Sequence, residues 1–287
     1  SRRARKYPLQ VEHNYTMSTQ DLNKVYDVVS NMEITKNSKI KGVSQDNTKV
    51  MPTGLAIISA IVNNGNKTEL SISKNGLING ILLNTVIPLT LEKPISDNLG
   101  YSLQVLNEFY DKKPNNAEHV YDLSMILFKQ LKVLHKLNRS YVRVLRVASY
   151  MYACGLRVTN DNPEKISFNI ILNSNIYGVS HKELVLAAFT SILRDVDNFN
   201  LADWVKYKDL VNEEDLDAVK KLSVILQIAS SLDCTKFGNV VDISCDILGD
   251  SVIMKTITKG EVPLEIRQAK LSSIDFKRAY NKNLEIL

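Results

Sequence analysis

The sequence contains few of the residues that mark several protein classes. Its three cysteines, Cys154, Cys234 and Cys245, are widely spaced in apolar segments, so neither a disulfide framework nor a cysteine metal site is expected. No apolar run approaches the ~20 residues that span a bilayer, and no signal-peptide pattern opens the chain. We therefore expect buried free thiols, a cytoplasmic location and no membrane partner.

Common phosphate and nucleic-acid motifs are also missing. The patterns GxxxxGK[ST] and Asp-x-Gly-Gly-Gly do not occur, and the glycines of Lys74–Gly80 fit a structural turn and close helix packing. Aromatic residues do not alternate with basic ones, so no nucleic-acid partner is expected. Internal repeats and low-complexity tracts are lacking as well.

What the sequence does contain is typical of a globular protein. Its 287 residues favour two domains, of which at least one has a sizeable core. The hydrophobic fraction of 44% and the charged fraction of 23% are those of an ordinary globular chain.

The net charge of +5 lies in the first third of the chain. Residues 1–85 hold 11 Lys and Arg against 6 acidic residues, and the remainder is balanced. Four of these cations, Arg2, Arg3, Arg5 and Lys6, form one cluster. A polyanion site and a solvated basic surface both explain such a cluster. Because the chain opens without Met, directly in RRARKYPL, we expect a piece of a longer protein.

Patterns in the first third predict a small α/β arrangement. Strands are predicted at Val11–Thr16 and Glu69–Ser73, and a helix at Thr19–Met32 with Ser18 as its N-cap. The polar segment Glu33–Lys49 reads as a loop, after which Pro52 opens an apolar helix. A second apolar helix follows the glycine turn. Two strands leave sheet faces and edges uncovered, so we expect the missing strands to come from other sequence or another chain.

After a linker at Asn84–Asp97 the pattern becomes helical. Helices are predicted at Tyr101–Tyr110, Asn116–Leu134, Tyr141–Gly155, Pro163–Asn173, Ser180–Leu193 and Glu213–Ala229. From Asn239 to Ile266 the period changes to two, which predicts an antiparallel meander of VVDISCDI, SVIMKTIT and VPLEI. A short helix at Ser272–Tyr280 closes the chain.

Several short motifs then suggest a family. They are Tyr7-Pro8-Leu9, Pro52-Thr-Gly-Leu-Ala-Ile57, Leu70-Ser-Ile-Ser-Lys-Asn-Gly-Leu77, His119-Val120, Tyr177-Gly-Val-Ser-His-Lys-Glu183 and Ile228-Ala-Ser-Ser-Leu-Asp233. In this order and spacing they resemble the exopolyphosphatase / guanosine pentaphosphate phosphohydrolase family over essentially the whole chain. Each motif is short and unspecific by itself.

The resemblance implies a fold and a domain division. It predicts a mainly α protein with α+β parts: a partial ribonuclease-H-like (actin-like ATPase) lobe, then a helical His-Asp-like domain with a small C-terminal antiparallel sheet. The implied boundaries are 1–85 for the end of the second lobe, 86–97 for a linker, 98–236 for the helical domain and 237–287 for a small α+β subdomain. The family's phosphate loops and catalytic Glu align upstream of Ser1, so no catalytic residue is expected in this chain.

His-Asp domains hold metals through one His, a His-Asp pair and later carboxylates or histidines. By the resemblance His119 keeps the first position, Tyr152-Ala153 replaces the pair, and the next His falls near Ile166. A single His cannot hold a catalytic metal, so His119 reads as a polar residue of a helix N-terminus.

Two departures from the family lie in the first third. Asn47-Thr48-Lys49 replaces an Arg-Ala-Asp-like triplet, and Ile78-Asn79 replaces an Arg-Glu pair. Both indicate a divergent paralogue with reduced or altered activity.

Other candidates have ordinary explanations. His13 is placed on a strand, His135 at a helix C-terminus where a positive charge suits the dipole, and His181 inside a capped helix. The acidic group Glu213 to Asp217 starts a helix, where negative charge is favoured.

The candidate substrate-binding residues are basic. They are Arg2, Arg3, Arg5, Lys6, Lys41, Lys49, Lys74, Arg139, Arg143 and Arg146. The last three form a stripe at helical spacing, which is either a wall of a polyphosphate channel or a solvated face paired with acids on neighbouring helices.

By resemblance the parent protein is a homodimer that uses Mg²⁺, bound outside this chain, to release terminal phosphate from inorganic polyphosphate or guanosine pentaphosphate. The alternative is a non-catalytic protein that binds polyphosphate or a nucleotide, or that only dimerises. A third possibility, a metal-dependent nucleotidase, is opposed by Tyr152-Ala153.

Overall fold

A computed structural model describes residues 2, 6–32, 40, 43–86, 97–110, 117–193, 196 and 199–287. The chain divides into two compact units, Ser1–Pro88 and Leu89–Leu287. The protein is mainly helical with two small sheets, which confirms the predicted class. In the described residues, no helix has the length and apolar character needed to cross a membrane.

In its described residues, the first unit contains two antiparallel strands, which are far apart in sequence, and three helices. Strand β1 (Tyr15–Ser18) pairs antiparallel with β2 (Glu69–Ile72), so that Tyr15 lies opposite Ile72. The helices are α1 (Thr19–Ser30), α2 (Gln45–Asn64) and α3 (Leu77–Val86). A small core of Tyr15, Met17, Leu22 and Val62 lies between the strands and the helices.

Ser18 caps α1 as predicted, since its side chain accepts the N–H of Asp21. The first strand, however, starts four residues later than predicted. Asn14 has φ 63°, and the N–H of Tyr15 donates to the carbonyl of Glu12, so the chain turns before β1 begins. His13 therefore lies in this turn rather than on a strand.

The predicted start of α2 at Pro52 is wrong. Ser44 caps the helix, which begins at Gln45 and runs through Pro52 to Asn64. Lys49 is consequently helical, although it was placed in a loop. A proline satisfies the geometry of a first turn, but an amphipathic segment can also continue through it when tertiary packing compensates the lost hydrogen bond.

Apolar side chains on α3 are exposed. Leu77, Ile78, Ile81 and Leu82 have exposed fractions of 81%, 73%, 58% and 58%. Contiguous apolar surface of this kind is unusual on a soluble unit. The two strands and three helices of the first unit do not cover it.

The second unit is built on a helical core. Its helices are α4 (Asn98–Tyr110), α5 (Ala117–Gln130), α6 (Lys132–His135), α7 (Tyr141–Met151), α8 (Pro163–Asn173), α9 (His181–Ile192), α10 (Leu201–Val205), α11 (Glu213–Ser231), α12 (Pro263–Lys270) and α13 (Ser273–Tyr280). A 3₁₀ turn spans Cys154–Arg157. Helices α5, α7, α9 and α11 pack on one another and bury Leu127, Leu145, Val185 and Leu222 completely.

The predicted starts of three helices are confirmed. Pro163 occupies the first turn of α8, and Ser180 with Glu183 forms a capping box on α9. Asn212 and Asp215 form a second capping box on α11. Asp215 of the predicted acidic first turn therefore also accepts the backbone N–H of Asn212.

The C-terminal sheet differs from the predicted meander. Strand β3 (Val240–Leu248) pairs antiparallel with β4 (Ser251–Thr258), as expected. The third strand is not VPLEI, which forms part of α12, but β5 (Asn283–Ile286), which pairs parallel to β4. The sheet is therefore mixed. Because Pro263 starts α12, the segment after β4 is helical, and the second partner of β4 is β5, which begins 25 residues after β4 ends.

The predicted linker at 86–97 falls almost entirely outside the described residues. Helix α3 ends at Val86, and α4 begins at Asn98.

Candidate functional site

The basic residues of the first unit differ in how they are engaged. The guanidinium of Arg2 donates to the carbonyls of Gln10 and Val11 at 2.7 Å each and pairs with Glu12 at 3.0 Å. It also lies 5.9 Å from the ring centroid of Tyr15. These contacts give Arg2 a structural role in the segment before β1.

Lys6, Lys49 and Lys74 are exposed, and no ion pair joins them to other described residues. Lys49 lies on α2, and Lys74 lies between β2 and α3, where its backbone N–H donates to Nδ1 of His13 at 3.4 Å. Such ammonium groups are available to an anion in solution. Arg3, Arg5 and Lys41 lie outside the described residues.

The arginine stripe of the second unit is largely paired with acids. Arg143 donates through Nε to Glu183 on α9 at 2.8 Å. Arg146 makes a bidentate pair with Asp97, with N···O distances of 3.0 and 2.7 Å, and lies 5.5 Å from the ring centroid of Tyr121. Only Arg139, just before α7, is exposed without a pairing acid among the described residues.

The Asp97–Arg146 pair shifts the pKa of both partners. The hydrogen bond from Arg146 holds the pKa of Asp97 below its ordinary value. Burial lowers the pKa of Arg146, but the hydrogen bond and charge of Asp97 outweigh it and raise the pKa overall. The pair therefore stays charged throughout the physiological range.

His119 lies in the first turn of α5, as the sequence suggested. Its Nε2 is 3.8 Å from Oδ1 of Asp233, which is buried and accepts the N–H of Gly238 at 3.2 Å. Sequence reasoning missed this neighbour, although Asp233 ends one of the motifs that carried the resemblance. The two residues are 114 positions apart, and spacing alone cannot join them.

Among the described residues, the His119–Asp233 pair lacks the further donors that a metal centre requires. Among the residues that the structure describes, no group of three or more His, Cys, Asp or Glu side chains could hold a metal ion. Tyr152 and Ala153 follow α7 where the resemblance puts a His-Asp pair, and half-buried Ile166 lies on α8. These donors do not fit a divalent cation, because at least three are normally required.

The other histidines are structural. His135 is buried and stacks on Phe128 with ring centroids 4.3 Å apart. Its Nδ1 accepts the N–H of Leu137 at 2.9 Å, and its Nε2 lies 2.7 Å from the carbonyl oxygen of Phe128. Burial lowers the pKa of His135, which favours the neutral imidazole over the positive charge that the predicted dipole role requires. His181 is buried in the first turn of α9.

The residues that replace family motifs in the first third lie on the helices of the first unit. Asn47 and Lys49 lie in the first turns of α2, where the N–H of Asn47 donates to the Ser44 hydroxyl at 3.4 Å. Ile78 and Asn79 are exposed on α3. These positions form no acid–base pair among the described residues.

A comparison with protein-family models gives a match in the first unit. Residues 3–88 match the model of the Ppx/GppA phosphatase family. This confirms the predicted family over that range. A comparison with curated proteins gave no significant match. The resemblance of residues 98–287 to the helical domain of that family stays a prediction.

Proposed function

We propose that this chain is part of an exopolyphosphatase-like phosphohydrolase that releases terminal phosphate from inorganic polyphosphate or from guanosine pentaphosphate. The observation that carries the proposal is the match of residues 3–88 to the Ppx/GppA phosphatase family. In the proposal, the catalytic Glu and the phosphate loops belong to sequence upstream of Ser1, and this chain contributes the outer part of one lobe.

The first unit supports a place in a larger lobe. The apolar side chains that α3 exposes, with Leu77 at 81% and Ile78 at 73%, are typical of a surface that another element covers. Both strands of the described two-stranded sheet are also edge strands, each with a row of backbone groups that no further strand pairs. Both features favour an α/β lobe that extends beyond the described strands.

Substrate contacts of this chain would come from free cations. Lys49 and Lys74 expose their ammonium groups on the first unit, and Arg139 exposes its guanidinium on the second. A polyphosphate chain carries one or more negative charges at each phosphate, so dispersed cations bind it with little need for fixed geometry. Arg143 and Arg146 are poorer candidates, because binding would have to break their pairs with Glu183 and Asp97.

Chemistry in the proposal is hydrolysis of a phosphoanhydride by in-line attack of water. A Glu would activate the water, and backbone amides would stabilise the developing charge. In the proposal, the Mg²⁺ that the family implies is held by sequence outside this chain, and among the described residues no group of three or more His, Cys, Asp or Glu side chains could hold it. We include a cytoplasmic homodimer in the same proposal.

The test is orthophosphate release from long-chain polyphosphate with Mg²⁺, measured for this chain and for the intact gene product. Activity of the intact protein alone supports the proposal. A second arm replaces Lys49 and Lys74 by Gln in the intact protein, and Lys208, an exposed lysine of the second unit, serves as a matched control.

Two results would contradict the proposal. Release of phosphate by neither protein, with polyphosphate binding retained, would favour a non-catalytic binding protein. Full activity of this chain by itself would place catalytic residues within 1–287 and would refute the assignment to upstream sequence.

A further inference from the structure

A cavity of about 370 Å³ opens in the second unit, on the side where α7 ends. Its walls come from the end of α4, the end of α7, the 3₁₀ turn and the loop after α11. The volume lies within the range of small-ligand pockets, roughly 300–1,000 Å³.

Three tyrosines dominate the lining. Tyr110 ends α4, Tyr150 lies in the last turn of α7, and Tyr152 follows it. Burial is the main cause that raises the pKa of Tyr110 and of Tyr150. Their phenols therefore stay neutral at physiological pH and offer aromatic faces together with hydroxyl donors.

The charged groups of the lining are of one sign. Arg157 ends the 3₁₀ turn and Lys236 lies in the loop after α11, and the described lining residues include no carboxylate. Asn107 and Asn160 add amide groups. A ligand for this lining carries both a negative charge and a planar ring.

The loop position of Lys236 is conformationally unfavourable for lysine. Its φ is 62°, in the left-handed region that glycine and asparagine adopt far more readily. Lys236 is one of the residues that line the cavity.

The 3₁₀ turn that lines part of the cavity is packed closely against α8. The hydroxyl of Ser167 accepts the N–H of Gly155 at 2.9 Å and lies 3.1 Å from the carbonyl oxygen of Tyr152, to which it donates. A Cβ at Gly155 would lie 1.9 Å from the Pro163 carbonyl oxygen, so α8 fits directly against the 3₁₀ turn. The turn that carries Arg157 is thus held in one position.

We propose that this cavity binds a nucleoside phosphate, with the base against the tyrosines and the phosphate at Arg157 and Lys236. The site is separate from the hydrolytic chemistry proposed above. The cavity is lined in part by Tyr152 and Ala153, which by the resemblance replace the metal-binding His-Asp pair of His-Asp domains.

The decisive experiment is calorimetric titration of the full chain with adenosine 5′-monophosphate, adenosine and inorganic phosphate. We expect the nucleotide to bind at least tenfold more tightly than either fragment, because only the nucleotide uses both the rings and the cations. Equal binding of the free nucleoside or of phosphate would overturn the proposal, as would no binding of the nucleotide.

Variants then locate the site. Lys236→Gly relieves the left-handed backbone, so the thermal midpoint stays or rises while nucleotide affinity falls about tenfold. Lys136→Gly is the matched control, since Lys136 is also exposed with φ 55° but caps α6 away from the cavity. Arg157→Gln is expected to weaken binding similarly.

Ala153→Phe tests the shape of the site independently of charge. Its ring would fill the cavity and abolish binding, with folding checked by circular dichroism. Nucleotide affinity unchanged in Lys236→Gly and in Ala153→Phe would place the ligand elsewhere and refute the proposal.

Discussion

Arg143 and Glu183 join two core helices of the second unit through one carboxylate. Oε1 of Glu183 accepts the Nε–H of Arg143 at 2.8 Å, while Oε2 accepts the N–H and hydroxyl of Ser180 at 2.8 and 2.9 Å. The residue that completes the capping box of α9 thus also anchors α7. An arginine of the basic stripe is consequently engaged in structure before any ligand arrives.

The capping box sets the first prediction. Ser180→Ala removes the acceptor for the N–H of Glu183 and should lower the free energy of unfolding by about 1 kcal/mol. Ser140→Ala is the control, because Ser140 precedes α7 without a capping hydrogen bond to that helix. Urea unfolding of the two variants measures the difference. Equal losses would show that the box adds nothing specific.

The carboxylate of Asp215 carries the second prediction. It is 1% exposed, pairs with Lys182 at 2.8 Å, accepts the Tyr141 hydroxyl at 3.1 Å, and completes the capping box of α11 by accepting the N–H of Asn212 at 2.8 Å. Asp215→Ala leaves these donors without their acceptor and should cost about 3 kcal/mol of stability.

Asp217→Ala provides the comparison for Asp215. Asp217 lies on the same helix with a 60% exposed side chain and pairs with Lys221 at 2.7 Å. An exposed helical pair contributes about 0.5 kcal/mol. A loss in Asp217→Ala as large as that in Asp215→Ala would contradict the assigned role of burial.

Tyr141 gives a prediction in alkaline solution. Burial, followed by the charge of Asp215, raises the pKa of Tyr141 to about 12. A pKa raised by folding stabilises the protein below the unfolded value near 10, and the contribution is lost as the pH rises toward 12. Tyr141→Phe should therefore show a smaller fall in unfolding free energy between pH 9 and 11.5. An equal fall in unfolding free energy for the wild-type protein and for Tyr141→Phe would contradict the prediction.

Asp97 gives the opposite dependence. Because the Arg146 hydrogen bond lowers its pKa, the contribution is present above the unfolded value near 3.9 and lost as the pH falls through the lower folded pKa. Asp97→Asn should reduce stability at pH 7 by less than about 1 kcal/mol, since the side chain is 55% exposed. The two proteins should converge in stability near pH 2, as followed by chemical unfolding.

Gly155 is expected to tolerate no side chain. In Gly155→Ala the new Cβ would lie 1.9 Å from the Pro163 carbonyl oxygen and 2.8 Å from Ser167, so α8 must move away at a cost of about 3 kcal/mol. Gly260→Ala is the matched control in the same unit, with its nearest contact at 4.0 Å. Equal thermal unfolding midpoints for the two variants would contradict this prediction, because they would show that α8 and the 3₁₀ turn can move apart at little cost.

Local chemistry explains what the sequence predicts correctly. The starts of α8, α9 and α11 follow from Pro163, Ser180 and Asn212, each of which acts within one helical turn. Even there the ends shift, and the predicted helix to Gly155 stops at Met151 because the chain tightens into a 3₁₀ turn.

Long-range pairing explains what the sequence does not predict. Strand β5 pairs with β4 although two helices separate them in sequence, and Arg146 pairs with Asp97, which lies 49 residues earlier. Periodicity identifies a basic face without identifying its acids. The ten candidate basic residues and the division of 98–287 into two parts therefore stay predictions, with Arg3, Arg5 and Lys41 outside the described residues.

Pro52 divides α2 into two parts with different resistance to opening. A proline has no N–H to donate to the carbonyl of Thr48, so the ladder of α2 is interrupted in its second turn. The turns from Gln45 to Met51 contain the buried Thr48, and the missing hydrogen bond separates them from the turns that reach Val62 in the core. Amide hydrogens before Pro52 should exchange with solvent faster than those after it. Lys49 lies in the part of α2 before Pro52, where we expect less protection.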